Sequence, residues 1–315
     1  MSKIFVAGAT GAIGKRLIPL LVEAGHHVIG TTRSHDKANS IRAAGATPAI
    51  LNALDRDEVL RAVQHAAPDV IIHQLTAIPP SFNPRHFDKV FAATNQLRTE
   101  GTDHLLAAAR AVKCRRFIAQ SYAGWPFARS GGPVKTEEDA LDPNPPSALR
   151  NTLEAIRYLE RAIPSEESMD GIVLRYAGFY GPGNAIGEGG ALVEQVRQRR
   201  VPVVGKGTGI WSFVHIDDAA RATAAAIDRG TRGIYNVADD EPAPVSEWLP
   251  ALASAIGAKP PMRIPIWLAR LVVGEAGVMM MTEVRGASNA KAKRELSWQP
   301  VWSSWRQGFQ KALGG

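Results

Sequence analysis

Ile4-Phe-Val-Ala7 runs directly into Gly8-Ala-Thr-Gly11-Ala-Ile-Gly14, and the reading of these residues decides the fold. The apolar run has the look of a buried strand, and residues 13–24 carry the apolar spacing of a helix. A strand entering a helix through so short a glycine turn aims backbone N–H groups and the positive end of the helix dipole at an anion. Gly8 permits the tight turn, Gly11 lets a phosphate approach the backbone, and Gly14 lets helix pack on strand. Thr10 and Ile13 complete the cradle, which suits the pyrophosphate of a dinucleotide. A P-loop is excluded, because Gly14-Lys15 would need glycine at Ala9 and Ser or Thr at Arg16.

Outward from the loop, residues 1–175 alternate short apolar runs with longer amphipathic ones, the mark of βαβ units. Strands are expected at 4–7, 27–31, 47–51, 70–73, 117–120 and 172–175, with helices at 13–24, 57–66 and 87–111. Beyond residue 181 the alternation weakens, with helices expected at 191–199, 217–228, 246–256 and 266–273 and strands at 201–204 and 233–237. The expected fold is α/β, a Rossmann-type doubly wound parallel sheet with a smaller C-terminal substrate-binding lobe. Residues 1–180 plus about 212–238 would form the dinucleotide-binding domain, and about 181–211 plus 239–315 the lobe. The Pro/Gly-rich stretch 124–146 reads as a long loop, and loops of that length tend to be functional.

The second strand ends in Thr31-Thr32-Arg33-Ser34, and no acid lies between Glu23 and Asp36 to hold a ribose 2′-hydroxyl. Arg33 offers a planar cation to a 2′-phosphate, with Thr32 and Ser34 as hydroxyl donors. NADP(H) is therefore expected in preference to NAD(H). Asn52, Ala53 and Leu54, after the third strand, would meet the adenine edge; Asn52 serves equally well as a cap for the next helix.

Composition narrows the partners. The charge of +7 comes from 37 basic and 30 acidic residues, with the cations scattered singly and in pairs along the sequence. That pattern suits a small anionic molecule better than a nucleic acid, and no nucleic-acid partner is expected. The single Cys114 excludes an internal disulfide and a cysteine-built metal site; it reads as a small buried hydrophobe. No metal site is expected. No apolar run approaches the ~20 residues of a membrane span, and the strand beginning just after Met1-Ser2-Lys3 leaves no room for a signal peptide. A cytoplasmic monomer or homodimer without membrane contact is the expectation.

With loop and strands placed, the chain resembles the extended short-chain dehydrogenase/reductases, in particular their NAD-dependent epimerase/dehydratase branch. Gly8–Gly14 is similar to that family's glycine loop. The segment 174–183, Leu-Arg-Tyr-Ala-Gly-Phe-Tyr-Gly-Pro-Gly, resembles the stretch passing beneath the nicotinamide. Trp211-Ser-Phe-Val-His-Ile-Asp-Asp218 and the ending 290–300 resemble two further family signatures. The resemblance implies that Gln74, Leu75 and Thr76, with His73, line the adenine ribose side, and that Tyr176 and Phe179 touch the cofactor. It also implies that Asn95 steadies the sheet near the site and that Ser121 hydrogen-bonds a substrate carbonyl or hydroxyl. Simpler readings stand beside these: Thr76 and Ser121 as turn formers, Asn95 bonding backbone only, His215 at the core edge, Asp217 as a helix N-cap.

One departure bears on the chemistry. The family places Tyr-x-x-x-Lys one helical turn apart, the lysine lowering the tyrosine's pKa and the tyrosine moving the proton that accompanies hydride. None of the five tyrosines here has a lysine four residues on. Alignment through Glu154 puts Pro146 at the tyrosine and Arg150 at the lysine, where Arg150 would grip the ribose. The expected proton donor is then Tyr122 beside Ser121, with Arg150 as the cation that lowers its pKa; Tyr180 and Lys135 are weaker candidates. The expected function is an atypical NAD(P)(H)-dependent oxidoreductase or epimerase acting on a small carbonyl, hydroxyl or sugar-like substrate. A non-catalytic NADP(H)-binding sensor or structural protein is the alternative. Trp211, Trp267, Met279–Met281, Arg285 and Asn289 are candidates to line the substrate pocket, Arg285 as an anion anchor.

Overall fold

The computed structural model describes residues 1–79 and 82–313. Seven parallel strands form one sheet: β1 (Lys3–Ala7), β2 (His27–Thr32), β3 (Thr47–Ile50), β4 (Val70–His73), β5 (Arg116–Tyr122), β6 (Asp170–Tyr176) and β7 (Gly233–Val237). Their spatial order is β3-β2-β1-β4-β5-β6-β7, so the winding reverses between β1 and β4, and a ligand crevice opens at such a reversal. The doubly wound parallel sheet expected from the alternating runs is what forms, with residues 233–237 rejoining it at the edge.

The inner strands are apolar on both faces because helices cover both. Ile4, Val6, Ile72, Ile118 and Leu174 pack under α1 (Gly14–Glu23) and the late helix Ile216–Ala225. Phe5, Ile71, Phe117 and Val173 pack on the opposite face with the helices Arg56–Ala66, Glu100–Ala111 and Arg150–Ala162. Cys114 belongs to this second core, where burial pushes its thiol up to about 11. A third core joins Tyr180, Val193, Phe213, Trp248, Trp305 and Phe309 in the C-terminal part.

Two helices differ from expectation. The stretch 87–111 is not one helix: it breaks at Thr99, whose backbone turns away from helical angles while its hydroxyl donates to the Asn95 carbonyl at 3.0 Å. The helix begun at residue 266 runs on to Thr282 through a kink at Gly274, where φ is +70° and the Arg85 side chain crosses. The long loop is stitched down. Val134–Lys135 pairs with Gly286–Ala287, and Arg129 meets Asp142 at 2.9 Å and Glu283 at 2.7 Å. Among the described residues, no helix is long and apolar enough to cross a membrane.

Candidate active site

The glycine loop has the shape its residues imply. Gly8 takes φ +96°, and a Cβ there would lie 2.7 Å from the Gln74 carbonyl oxygen. On Gly14 a Cβ would lie 2.5 Å from the carbonyl oxygens of both Gly8 and Ala9. Gly11 is exposed, and a Cβ on it would meet nothing nearer than the Gly8 carbonyl at 3.2 Å. That space lies at the start of α1, which has no side-chain cap; the N–H groups of Ala12 and Ile13 have no acceptor among the described residues. Unpaired N–H groups around an open glycine are what a pyrophosphate requires, so the loop fits the dinucleotide. Thr31 holds the loop, its hydroxyl accepting from the Gly8 N–H at 3.1 Å. Arg16 braces it from behind, donating to the carbonyls of Ala12 and Pro182 and pairing with Asp217 at 2.7 Å. Asp217 is therefore not the helix cap; the buried His215 is, its Nδ1 accepting from the Asp217 N–H.

At the end of β2, Arg33 is exposed and has no hydrogen bond or ion pair among the described residues. Thr32 accepts from the Ser34 N–H at 3.2 Å, which leaves the Ser34 hydroxyl free beside Arg33. Asn52 turns its side-chain oxygen onto the Leu54 N–H at 3.2 Å, and the cap of the following helix is Asp55, which accepts from Glu58. Ala53 is buried, its carbonyl taken by His104, and Leu54 is half-buried.

Beside the loop, burial drives His73 down to about 4, so its ring is neutral. It accepts from the Leu75 N–H through Nδ1, which assigns the proton to the nitrogen facing the Leu97 carbonyl at 3.2 Å. Leu75 and Thr76 follow, half-buried and exposed. Gln74 donates to the Tyr176 hydroxyl at 3.0 Å, and that hydroxyl also meets Thr223 at 2.8 Å. Tyr176 is thereby enclosed in the core behind the sheet, with its carbonyl bonded to the Ala123 N–H. It presents nothing to a ligand, contrary to expectation. Phe179 is half-buried at the strand end, its ring 5.5 Å from that of Tyr176. Asn95 is turned into the groove between Phe87–Arg98 and Arg150–Ala162, donating to Thr152 at 3.0 Å. It ties the two helices together.

Ser121 and Tyr122 are neighbours in sequence, but alternation along β5 sends them to opposite faces. Ser121 points inward and donates to Glu160 at 2.6 Å, in a buried network completed by Arg175, whose Nε and Nη2 reach the same carboxylate at 2.8 and 2.5 Å. With its proton so directed, Ser121 is not placed to serve a substrate oxygen. Tyr122 packs beside Phe87, Trp125, Ala148 and Leu149, directly after Pro146. Its hydroxyl has no partner among the described residues, and burial pushes the phenol up to about 12. Arg150 is exposed at the start of its helix and makes no contribution to the Tyr122 phenol, so the expected cation is not there. The weaker candidates are excluded: Lys135 is buried on Ser130 and Asp139, and Tyr180 is sealed in the third core.

The second lobe also differs. Trp267 is on the surface, Arg285 donates to the Arg129 carbonyl, and Asn289 bonds Ala238 and Asp240. Trp211 and Met280 do pack against the Tyr122 cluster. Sequence reasoning missed Glu160, Arg175 and Arg98, although each is a charge on an otherwise apolar face or strand. Arg98 lies at the end of Phe87–Arg98, where burial draws its guanidinium down to about 10 against the pull of Glu160. Missed too was Asp88, whose carboxylate accepts from the N–H groups of Asn151 and Thr152 and so caps the helix bearing Arg150.

A glycine cradle at a topological switch point, with a phenol at the sheet's C-terminal edge, is the arrangement of a dinucleotide-binding α/β protein. The profile of the NAD dependent epimerase/dehydratase family matches residues 4–238, and the chain belongs to that family. It is 39% identical over 318 residues to a 3-diazoavenalumate denitrifying reductase of a Streptomyces species, covering 98% of this chain and 99% of that one. It is 28% identical to a 2-alkyl-3-oxoalkanoate reductase of Stenotrophomonas maltophilia, over 81% of this chain and 76% of that protein. Its fold is similar to that of UDP-glucose 4-epimerase from Thermotoga maritima, with a TM-score of 0.77, 21% identity, and 98% and 97% of the two chains covered.

Proposed function

We propose that the protein is an NADP(H)-dependent reductase of small electron-poor acceptors, working in the direction of reduction and not of epimerisation. The observation that carries this is the placement of the Tyr122 phenol in the cluster of Phe87, Trp125 and Leu149, with no hydrogen-bond partner among the described residues, where burial pushes it up to about 12. At neutral pH such a phenol stays protonated, so it is a poor base for drawing a proton from a hydroxyl. As an acid it stays fully protonated, and an alkoxide formed by hydride addition is basic enough to take its proton. When bound, the reduced cofactor supplies the hydride. The carbonyl carbon gains it, the carbonyl oxygen takes the Tyr122 proton, and water reprotonates the phenolate. The relatives named as reductases of a 3-oxoalkanoate and of a diazo compound support this direction. Hydride delivered to the carbon of an aryl diazonium ion gives the arene and N₂ with no alkoxide, so an acceptor in that cationic form needs no acid at the hydride step.

The test is the pH dependence of carbonyl reduction. With the protonated phenol as acid, activity is lost only as pH rises through the phenol's pKa, so kcat should be level from pH 6 to 10. A kcat that falls near pH 7–8 would mean that a different group, or a phenol made acidic by a cation, gives the proton.

The preference for NADP(H) rests on Arg33, exposed at the end of β2 without an ion pair among the described residues, in a stretch with no acid between Glu23 and Asp36. A bidentate contact to the 2′-phosphate contributes roughly 1.5–3 kcal/mol. Arg33→Ala should therefore weaken NADPH about tenfold or more and leave NADH nearly unchanged, measured by fluorescence titration with both. Equal losses would remove the preference. We further assign the protein to the cytoplasm, as a monomer or homodimer, with residues 1–180 and about 212–238 binding cofactor and the remainder shaping the substrate pocket.

A further inference from the structure

Cations scattered in the sequence come together around one exposed apolar face. The first half of the helix Ile266–Thr282 leaves Trp267 64%, Leu271 62%, Val272 58% and Ile266 40% exposed, and Met262 just before it is 47% exposed. Trp267 and Leu271 are one turn apart and form its crest. Arg199 reaches the Pro260 carbonyl at 3.2 Å, and Arg263 pairs in register with Val203, which brings the segments 197–206 and 259–263 side by side. Gly205 backs onto Ile266, so Lys206 lies beside the helix. Arg199, Arg200, Lys206, Lys259 and Arg263 are all exposed, and neither stretch contains an acid. Arg270 is offset by its pairing with Glu275.

We infer, against the expectation of no membrane contact, that this face docks the protein on an anionic lipid surface. Apolar residues crested by a tryptophan and rimmed with uncompensated cations have the composition of an in-plane membrane helix, where apolar burial and attraction to acidic headgroups add. Charge complementarity to acidic headgroups is what favours a bilayer interface as the occupant. Beyond the Gly274 kink the same helix carries Met279 and Met280, which pack in the Tyr122 cluster. Docking therefore sets a wall of the active site close to the membrane surface, within reach of amphipathic acceptors.

The test is flotation of the full chain with vesicles of phosphatidylcholine alone and of phosphatidylcholine with 30% phosphatidylserine. The serine-lipid vesicles should carry the protein at low salt and the neutral ones much less. Trp267→Glu combined with Leu271→Glu should lower the bound fraction at least about tenfold. Thermal stability and NADPH affinity of that variant should be unchanged, since both side chains are exposed and belong to none of the buried cores. Absence of flotation with the acidic vesicles would overturn the inference, as would equal flotation of the variant. A wild-type dimer in light scattering that the double substitution converts to monomer would also overturn it, by giving the face to a second copy of the chain.

Discussion

Tyr122→Phe is expected to lower the turnover of a carbonyl acceptor by ~10²–10⁴ while leaving NADPH affinity unchanged. The ring stays packed against Phe87, Trp125 and Leu149, so the substitution removes a hydroxyl and little else. Because the hydroxyl has no partner among the described residues to be orphaned, a stability cost should be small. A second acceptor separates chemistry from packing. A diazonium compound takes hydride without forming an alkoxide, so its reduction should survive the same substitution. Loss confined to the carbonyl identifies Tyr122 as the acid. Equal loss with both acceptors would mean that the hydroxyl shapes the pocket, and equal retention would place the donor elsewhere. NADPH binding without turnover of any acceptor would return the protein to the sensor reading.

Glu160→Ala should destabilise the fold by about 3–5 kcal/mol, read as a lowered urea midpoint. Glu160 and Arg175 have side chains only 5% and 4% exposed, and the carboxylate also receives the Ser121 hydroxyl. Truncating the acid leaves Arg175 buried without its counter-charge, with Arg98 close by, and desolvated charge is what makes such a loss large. Replacing both Glu160 and Arg175 by methionine should cost less than the single change, because neither charge is then stranded. A single substitution costing under about 1 kcal/mol would show that water reaches the network.

Much of this was legible in the sequence, and the limits have physical causes. The glycine loop and inner strands stand out because local spacing dictates them: a turn, a helix start, runs of Ile and Val. Arg33 is legible because the acid it replaces is absent from a short, locatable stretch. The catalytic pairing of Ser121 with Tyr122 was misjudged for a reason the sequence also contained. Adjacent residues of a strand face opposite ways, and residues 117, 119 and 121 were already needed for the inner core. Glu160 shares a helix face with Leu153, Ile156 and Ile163, and Arg175 sits in an apolar strand; each is an uncovered charge whose partner lies too far along the chain for spacing to reveal. The docking face was invisible for the same reason, since it joins segments about sixty residues apart.

The family profile ends at residue 238, but the sheet's first core does not. Ala292, Leu296 and Trp298 complete it, with the Trp298 indole donating to the Asp218 carbonyl and the Trp302 N–H to the Asp218 carboxylate. During synthesis β6 therefore waits for β7 with its edge unpaired, and α1 and its neighbours wait for an apolar cover from near the C-terminus. Pairings this distant along the chain fold late, and an exposed strand edge invites aggregation meanwhile. A fragment trimmed at residue 238 would keep all seven strands but lack the Ala292, Leu296 and Trp298 cover of the first core, so it is not a minimal cofactor domain.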